Sequence, residues 1–435
     1  MLRNCRRIFF KRNVYFIQYN TFLTNDYKCT NAWTDLNSTP LITKINVEDF
    51  YNKVDSNYSS KGVISAIDVD LFANAIKDSS HLEELKDLLH KLRLSAETGN
   101  MLDSTRHATV RNYLQFGNIE ELVGMLRDPL NFGVFLDDYS GNILLDELLS
   151  SSKYNLAARV ASLIMLQEDY TNDITCALCQ YACYKYILNY IPPEPEPPVE
   201  KSEKVEEIKI RIKYLRNPYF DDHFDITDLL ALSGKTLAWI SEKSSDNLNN
   251  NLQIIGWLFY KKYDKLSECL EKNSKNDKFK TYREVLQLLQ KEISNADESV
   301  KSTLEHCYSI LSKVEQKSEI SLEESIENAI ENAINKSQKS DIAEQEQLFK
   351  SWSTIREEKL REQILRLDRA LCLQQVEEKQ EEMNKTEQKL WFFENEEQID
   401  LKNAGKKIKS AKKKSKDTES GDGDYIPPEI LPKRK

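Results

Sequence analysis

The chain has 435 residues, of which 61 are Lys or Arg and 71 are Asp or Glu, so its formal net charge is −10. This acidic balance excludes nucleic-acid binding over the whole surface, because phosphate contact depends on clustered Lys and Arg. With 30% charged residues and only 11 Gly, the composition argues against a compact α/β enzyme and favours helices. The sequence contains no run of about 18 apolar residues, so no transmembrane span is predicted.

The amino-terminal segment is basic and rich in bulky apolar residues. Residues 1–25 hold five Arg and Lys and no acid. As a helix, this segment sets its Arg side chains against an apolar face, which is the amphipathic cationic pattern of a mitochondrial transit peptide. An ordinary basic arm is the alternative. The pattern predicts a leader over 1–25, cleavage near Arg12 to Tyr19, and a location in the mitochondrial matrix.

Residues 66–191 show a repeated pattern of short helices. Apolar residues recur at three-and-four spacing, which predicts half-buried helices separated by polar breaks. Asp103, Asp138 and Asp173 stand 35 residues apart. A fixed period of this length predicts stacked helical hairpins, because one hairpin cannot bury its apolar face alone. A third unit begins at Ile174 and is interrupted after one helix by a Pro-rich run.

Thirty-five residues is also the repeat length of the pentatricopeptide family, and residues 137–173 resemble one of its units. In that segment Asn142, followed by the apolar run Ile143, Leu144 and Leu145, matches the first-helix pattern of the family. An unrelated array of helical hairpins is the alternative.

In sequence-reading members of that family, the fifth and last side chains of each unit face a base. The resemblance places His107 with Asp137 in one unit, and Asn142 with Asn172 in the next. Two units read about two bases, one per repeat, which is too few to find an RNA alone. These four residues are RNA-binding candidates, and the alternative interpretation is that they are helix caps and exposed turn residues.

The middle of the chain begins with a charged, Pro-rich stretch at 192–207, which predicts an extended linker. A second helical region is predicted over 208–315. Its first residues alternate basic with apolar side chains and precede two aromatics, a combination that suits RNA. A solvated face or a short edge strand is the alternative. The RNA-binding candidates of this basic strip are Lys209, Arg211, Lys213 and Arg216.

Residues 316–400 are predicted to form a long charged helix. Ile326, Ile330 and Ile334 recur at every fourth position, which marks a narrow apolar stripe. Further on, apolar residues alternate at spacings of four and three, the coiled-coil pattern, over one or two heptad pairs. We expect a mostly solvated helix that lies on a partner or on RNA. The seam consists of Leu348, Trp352, Ile355, Leu360, Ile364, Leu367 and Leu371.

Residues 401–435 are predicted to form a disordered basic tail. The block Lys402–Lys416 contains no acid, and such a block suits phosphate contacts that weaken with salt through counterion release. A nuclear-localisation signal and a merely solubilising tail are the competing interpretations. The RNA-binding candidates in this tail are Lys406, Lys407, Lys409, Lys412, Lys413, Lys414 and Lys416.

No catalytic, cofactor or metal site is predicted. Cys176, Cys179 and Cys183 lie at helical spacing on one apolar face without a fourth ligand nearby, whereas a closed zinc site needs four ligands. The run SGKT at 233–236 resembles the end of a P-loop, but it follows helical sequence and lacks the first glycine of that loop.

Several segments in combination resemble one family along nearly the whole chain. They are the basic leader, GVFLDDYSGNILLDELL, the Pro-Glu linker, LLALSGKTLAW, IIGWLFYKKYDKLSECLEK and LFKSWSTIREEKLREQ. The chain is similar to the pentatricopeptide-type protein family of the animal mitochondrial small ribosomal subunit, numbered twenty-seven in the small-subunit series. The resemblance implies a structural, non-catalytic RNA-binding protein that supports mitochondrial translation and contacts small-subunit ribosomal RNA and neighbouring ribosomal proteins.

The sequence therefore predicts an all-α protein. Its body is a pentatricopeptide-like α-solenoid of helical hairpins, followed by a long charged carboxy-terminal helix or coiled coil and a disordered basic tail. No membrane and no small-molecule substrate are expected. The alternative function is a free pentatricopeptide factor for RNA processing or translation in the mitochondrial matrix, which is disfavoured because such factors carry many more repeats.

Overall fold

A computed structural model describes residues 21–192, 226–276, 279–296, 298–314 and 318–416. Within these ranges the regular elements are helices and no strand is present, so the all-α prediction is confirmed. The chain comprises two compact units, Met1–Arg356 and Glu357–Lys435. None of the described helices is both long enough and apolar enough to cross a membrane.

The described α-helices are numbered here in chain order. They are α1 (Thr30–Asn37), α2 (Pro40–Thr43), α3 (Val47–Lys61), α4 (Ala66–Ala75), α5 (Leu82–Leu94), α6 (Asp103–Phe116), α7 (Ile119–Leu126), α8 (Pro129–Phe132), α9 (Asp138–Ser150), α10 (Tyr154–Met165), α11 (Asp173–Leu188), α12 (Leu229–Glu242), α13 (Asn247–Phe259), α14 (Tyr263–Ser274), α15 (Arg283–Asn295), α16 (Glu298–Ser312), α17 (Leu322–Glu394) and α18 (Glu396–Lys416). Short 3₁₀ helices lie at Asn25–Lys28, Ser79–His81 and Ala96–Asn100.

The first unit is built from helical hairpins stacked in two layers. Helices α4, α6, α9 and α11 contact one another in sequence and form what we call the inner layer. Helices α5, α7, α10 and α12 are their hairpin partners and form the outer layer, in which α7 contacts α10 and α10 contacts α12. The repeat is confirmed at its predicted positions, because Asp103, Asp138 and Asp173 are the first residues of α6, α9 and α11.

The third hairpin is completed by a helix that lies beyond the Pro-rich run. Helix α11 packs against α12, although residues 193–225 separate them in the chain. The sequence predicted only the first helix of this unit, since a hairpin period cannot reveal a partner across an intervening segment of this length. Helices α13 to α16 then continue the body, with α13 against α14 and α15 against α16.

Helix α17 has 73 residues, and its first part belongs to the first unit. Ile326, Ile330 and Ile334 are buried there, as the four-residue stripe predicts. Further along, the predicted seam is confirmed at Trp352, which is buried, but not at the seam positions on either side of it. Leu348 and Ile355 are 45% and 38% exposed, whereas Phe349 and Arg356 are buried. The helix packs through the face carrying residues 345, 349, 352 and 356, which also follow spacings of four and three.

The second unit contains the rest of α17 and the helix α18. The seam residues Ile364, Leu367 and Leu371 are exposed. Residues 401–416, predicted to begin a disordered tail, are helical in α18. Lys and Ala have high helix propensity, and Glu396 and Glu397 occupy the first turn, where acidic side chains stabilise a helix through its dipole.

Candidate functional site on the inner helix layer

The four residues of the predicted repeat register lie along the inner layer. His107 and Asn142 are the fifth residues of α6 and α9. Asp137 and Asn172 are the cap residues immediately before α9 and α11. The predicted register therefore corresponds to equivalent positions along the inner layer, but it does not by itself show what these side chains contact.

His107 is buried in an aromatic cluster formed by three parts of the chain. Its ring centroid lies 5.2 Å from that of Trp33 in α1 and 5.7 Å from that of Tyr139 in α9. Helix α17 supplies Phe349 at 5.4 Å and Trp352 at 5.3 Å. The imidazole is thus enclosed by side chains of the same polypeptide on all of these sides.

The electrostatic surroundings keep His107 neutral. Arg111 donates a hydrogen bond from Nε to His107 Nε2 over 3.3 Å, which places the imidazole proton on Nδ1. Burial, and then the positive charge of Arg111, hold the pKa of His107 well below its ordinary value of 6.5. A neutral, enclosed imidazole of this kind serves packing and gives no exposed acid or base.

Asn142 and Asn172 both take part in a hydrogen-bond network with Tyr27 and Asp341. Asn142 Nδ2 donates to the Tyr27 hydroxyl over 3.0 Å, and that hydroxyl donates to Asp341 Oδ2 in α17 over 3.2 Å. Asn172 Nδ2 donates to the same carboxylate oxygen over 3.1 Å, while its Oδ1 caps α11 by accepting from two backbone amides. Asp137 accepts a hydrogen bond from the Ser140 hydroxyl.

Among the described residues, the segment before α1 covers part of the inner layer. The backbone amides of Phe22 and Leu23 donate to Asp146 Oδ1 in α9, over 2.7 and 3.2 Å. Phe22 and Leu23, which fall within the predicted leader, therefore pack on the folded body.

Helix α17 also covers the inner layer, and it forms several hydrogen bonds and ion pairs with α11. Lys336 Nζ lies 2.6 Å from Asp173 Oδ2, and the Tyr181 hydroxyl donates to Glu327 Oε1 over 2.9 Å. Lys185 also bonds to Glu323. Because helix α11 belongs to the inner layer, these contacts fix α17 along the face that carries the repeat register.

A buried ion pair fixes α17 near the other end of the inner layer. Arg356 Nε lies 2.6 Å from Asp70 Oδ2 in α4, and both side chains are buried. The hydroxyls of Thr105, at 3.0 Å, and Ser104 in α6 donate to the other carboxylate oxygen of Asp70. A single carboxylate thus joins α4, α6 and α17.

The remaining RNA-binding candidates lie in other places. The basic strip Lys209, Arg211, Lys213 and Arg216 lies outside the described residues. Lys406, Lys407 and Lys409 are exposed on α18, and the backbone of α18 continues through the last four candidates to Lys416.

The structure shows where the two motifs that resemble ligand sites lie. Cys179 and Cys183 are buried in α11, and burial raises the pKa of both thiols. Lys235 of the SGKT run lies inside α12, with Nζ 4.2 Å from the ring centroid of Trp239. Among the described residues, no group of His, Cys, Asp and Glu is arranged to hold a metal ion.

Comparison with known protein families assigns the chain to a family. A profile of the family described as mitochondrial 28S ribosomal protein S27 matches residues 1–389. The chain belongs to this family. As an S27-family member it is a mitochondrial protein and a component of the small ribosomal subunit, which confirms the resemblance seen in the sequence.

The S27-family match includes both the hairpin array and the covering part of α17. Residues 322–356 therefore lie within the region that the S27-family profile matches. Helix α18 and its lysines lie beyond the matched residues. Tyr27, Asp341 and the Asp70–Arg356 pair are not predicted from the sequence, because no periodic signal connects residues that meet across about three hundred positions.

Proposed function

We propose that the chain is a structural, non-catalytic protein that contacts ribosomal RNA and neighbouring proteins within the small subunit in the mitochondrial matrix. The observation that carries this proposal is the occupied inner layer. Where a base-reading repeat array presents side chains to RNA, this chain packs its own helix α17. A filled inner layer suits a rigid component of an assembly.

In this proposal the predicted base contacts of the repeat register require α17 to leave. His107 and Asn142 are buried, and exposing them breaks the Asn172–Asp341 bond and the Asp70–Arg356 pair. Base reading at His107, Asp137, Asn142 and Asn172 is therefore a property of an open form only.

The exposed lysines of α18 are the proposed phosphate contacts in the folded chain. Lys406, Lys407 and Lys409 are on the surface of a helix whose last turns carry further Lys. Each neutralised phosphate releases counterions, so binding that uses these lysines weakens steeply as salt increases. The basic strip at 209–216 has the same composition and is proposed as a second contact of this kind.

The test compares two triple substitutions in the full chain. Lys406→Gln, Lys407→Gln and Lys409→Gln are combined in one variant, and Lys359→Gln, Lys379→Gln and Lys385→Gln on α17 form the control with the same change in charge. RNA affinity is measured by fluorescence anisotropy from low to moderate salt. The α18 variant is expected to reduce the slope of log affinity against log salt by about 2 to 3, at 0.7–0.9 per phosphate contact, while the control leaves it almost unchanged. Equal slopes for both variants would exclude α18 as the contact.

Sedimentation distinguishes a ribosomal component from the alternative of a free factor. The protein is expected to sediment with the small subunit through high-salt washing and to leave that fraction only when the subunit is disassembled. A mainly free pool at moderate salt is the result expected for a free RNA-processing or translation factor, and it would contradict a structural role.

We also propose that the leader ends before residue 21. The amides of Phe22 and Leu23 bond to Asp146, so cleavage at residue 25 would remove contacts of the folded body. Sequencing the amino terminus of the protein from mitochondria is expected to give a start after Arg12 and before residue 21. A start after residue 25 would contradict this boundary.

A further inference from the structure

A cleft in the outer layer combines an apolar lining with two arginines. It lies between α7, α10 and the start of α12 and has a volume of about 440 Å³. Leu126, Leu163 and Leu232 are among its apolar residues, and Arg127 and Arg159 line it as well. Ligand clefts of about 300–1,000 Å³ with a mostly apolar lining and a few polar groups are typical of binding sites.

The positive charge of Arg127 and Arg159 is not balanced by an acidic side chain in the described lining of the cleft. Among the described residues that line it there is no Asp or Glu, although acids outnumber bases in the whole chain. Arg159 Nε donates to Asn155 Oδ1 over 2.9 Å, and across the described ranges neither arginine forms an ion pair. Burial, and then the nearby charge of Arg127, lower the pKa of Arg159. Two guanidinium groups in mutual repulsion next to an apolar surface are stabilised by a bound anion.

The shape and chemistry favour a nucleotide as that anion. Guanidinium groups bind phosphate oxygens through paired hydrogen bonds. An unstacked base presents flat apolar faces, and single-stranded RNA is commonly held by stacking such bases on aromatic side chains. Phe135 lines the cleft and its side chain is 46% exposed. The cleft thus offers guanidinium groups for a phosphate and an apolar, aromatic lining for a base.

We propose that this cleft binds one unpaired nucleotide of RNA, with its base against the apolar lining and Phe135 and its phosphate between Arg127 and Arg159. The inference rests on the proposed function, since a small-subunit component meets RNA. It places a contact on the outer layer, away from the inner-layer register that α17 covers. The proposed nucleotide site in the cleft is thus distinct from the proposed phosphate contacts of the α18 lysines.

The test uses the full chain and a decanucleotide RNA containing 4-thiouridine, with the crosslinked residues located by mass spectrometry. Adducts are expected in peptides covering residues 126–136 and 159–167. The double variant Arg127→Gln and Arg159→Gln is expected to reduce these adducts about tenfold, because two charged hydrogen-bond donors are lost. The matched control, Arg106→Gln with Arg361→Gln, changes the net charge equally and is expected to leave them unchanged.

A third variant tests the apolar part of the cleft without any change in charge. Leu163→Trp fills the cleft and is expected to remove its adducts, while adducts on α18 persist. Circular dichroism of each variant shows whether the helices remain folded. Adducts lost from a folded Leu163→Trp variant support the base position, and adducts retained there overturn it.

The outcomes separate this inference from the proposed function. Adducts on α18 with none in the cleft would reject the nucleotide site and leave RNA binding intact. Adducts nowhere on the chain would reject both. A synthetic peptide of residues 193–207, which is acidic, is titrated in parallel. If the peptide binds through Arg127 and Arg159 while RNA adducts do not depend on them, the cleft is a peptide site and the proposal fails.

Discussion

Asp70 is a carboxylate inside an apolar helix, and its partners explain how it is tolerated there. Burying an isolated charge is costly unless it is paired and hydrogen-bonded. Here the Arg356 guanidinium takes one oxygen, and the hydroxyls of Ser104 and Thr105 take the other. The carboxylate therefore connects three helices, and its contribution to stability depends on the presence of Arg356.

Removing one member of this buried pair is expected to be severe. Arg356→Leu leaves Asp70 buried without its counter-charge and should lower the free energy of unfolding by about 3–5 kcal/mol, measured by urea denaturation. Adding Asp70→Leu to that variant should recover a substantial part of the loss, because no unpaired charge then remains. The control Arg361→Leu breaks an exposed pair with Glu357 and should cost less than about 1 kcal/mol. A comparable loss in Arg356→Leu and Arg361→Leu would contradict the pairing.

His107 predicts a specific loss of stability in acid. Its folded pKa lies well below 6.5, so between the two values only the unfolded chain takes up this proton. The stabilisation is complete above about pH 6.5 and declines by about 1.4 kcal/mol per pH unit below it. The carboxyl of Asp138, whose pKa burial and the charge of Asp169 raise to about 6, acts in the opposite direction, since its proton favours the folded state.

Comparison with His107→Gln isolates the histidine, because the variant keeps an acceptor for Arg111 but no titrating ring. The difference in unfolding free energy between wild type and variant is measured at pH 7.5 and 5.5. Wild type should lose about 1 kcal/mol more than the variant over this interval. Parallel pH profiles would show that His107 is protonated in the folded chain.

At the scale of single residues, the sequence predicted positions better than environments. The resemblance to the pentatricopeptide register placed His107 and Asn142 at equivalent positions of neighbouring units, which the 35-residue period relates. It could not show that Phe349, Trp352 and Asp341 would cover these positions. Contacts between distant segments leave no mark on local periodicity.

At the scale of elements, α12 and α13 approach closely because both carry glycine at the crossing. A Cβ on Gly256 would lie 2.5 Å from the backbone nitrogen of Ala238 and 2.7 Å from the carbonyl oxygen of Gly234. Neither backbone atom can move without separating the helices. The close packing of these two helices therefore depends on the absence of a side chain.

Substitution by alanine should have opposite effects in two helices. Gly256→Ala is expected to destabilise the protein by about 1–3 kcal/mol through overpacking, despite the better helix propensity of Ala. Gly124→Ala in α7 meets nothing within 4 Å and should stabilise by about 0.5–1 kcal/mol. The two stability changes are measured by thermal unfolding of both variants. Stabilisation by Gly256→Ala would show that the crossing of α12 and α13 is looser than described.

The element boundaries show what periodicity can and cannot predict. Asp103, Asp138 and Asp173, which the sequence spaces 35 residues apart, each begin a helix, so the period is confirmed although the sequence did not predict that these residues start helices. The buried face of α17 keeps the predicted seam residue Trp352 but carries Phe349 and Arg356 in place of Leu348 and Ile355, because two neighbouring faces of the helix have similar spacing. Only the tertiary position of the hairpins selects Phe349 over Leu348.

At the scale of the whole molecule, α17 is one continuous helix with two different environments. Residues 322–356 contribute buried side chains to the first unit, whereas the seam residues Ile364, Leu367 and Leu371 are exposed. Amide exchange depends on how readily a segment opens, and few buried contacts mean easy opening. The hydrogen bonds of the helix are therefore expected to differ in lifetime along its length.

Hydrogen–deuterium exchange of the full chain tests this expectation. Peptides from 322–356 should exchange at least about tenfold more slowly than peptides from 358–394, because opening the former requires breaking tertiary contacts. The control is Arg356→Leu, which should accelerate exchange in the first part and leave the second part unchanged. Uniform exchange along α17 in wild type would contradict the division into two units.

The Asp70–Arg356 pair joins residues 286 positions apart, and this separation has a consequence for how the protein forms. A ribosome makes the chain from its amino terminus, so the hairpins exist before the helix that seals them. Closing so long a loop is slow, and apolar surface left open in the meantime favours aggregation. Trp33, His107 and Tyr139 remain uncovered until α17 has been made. We expect newly made chains to bind chaperones until residues 322–356 arrive, and truncations just before 322 to remain bound.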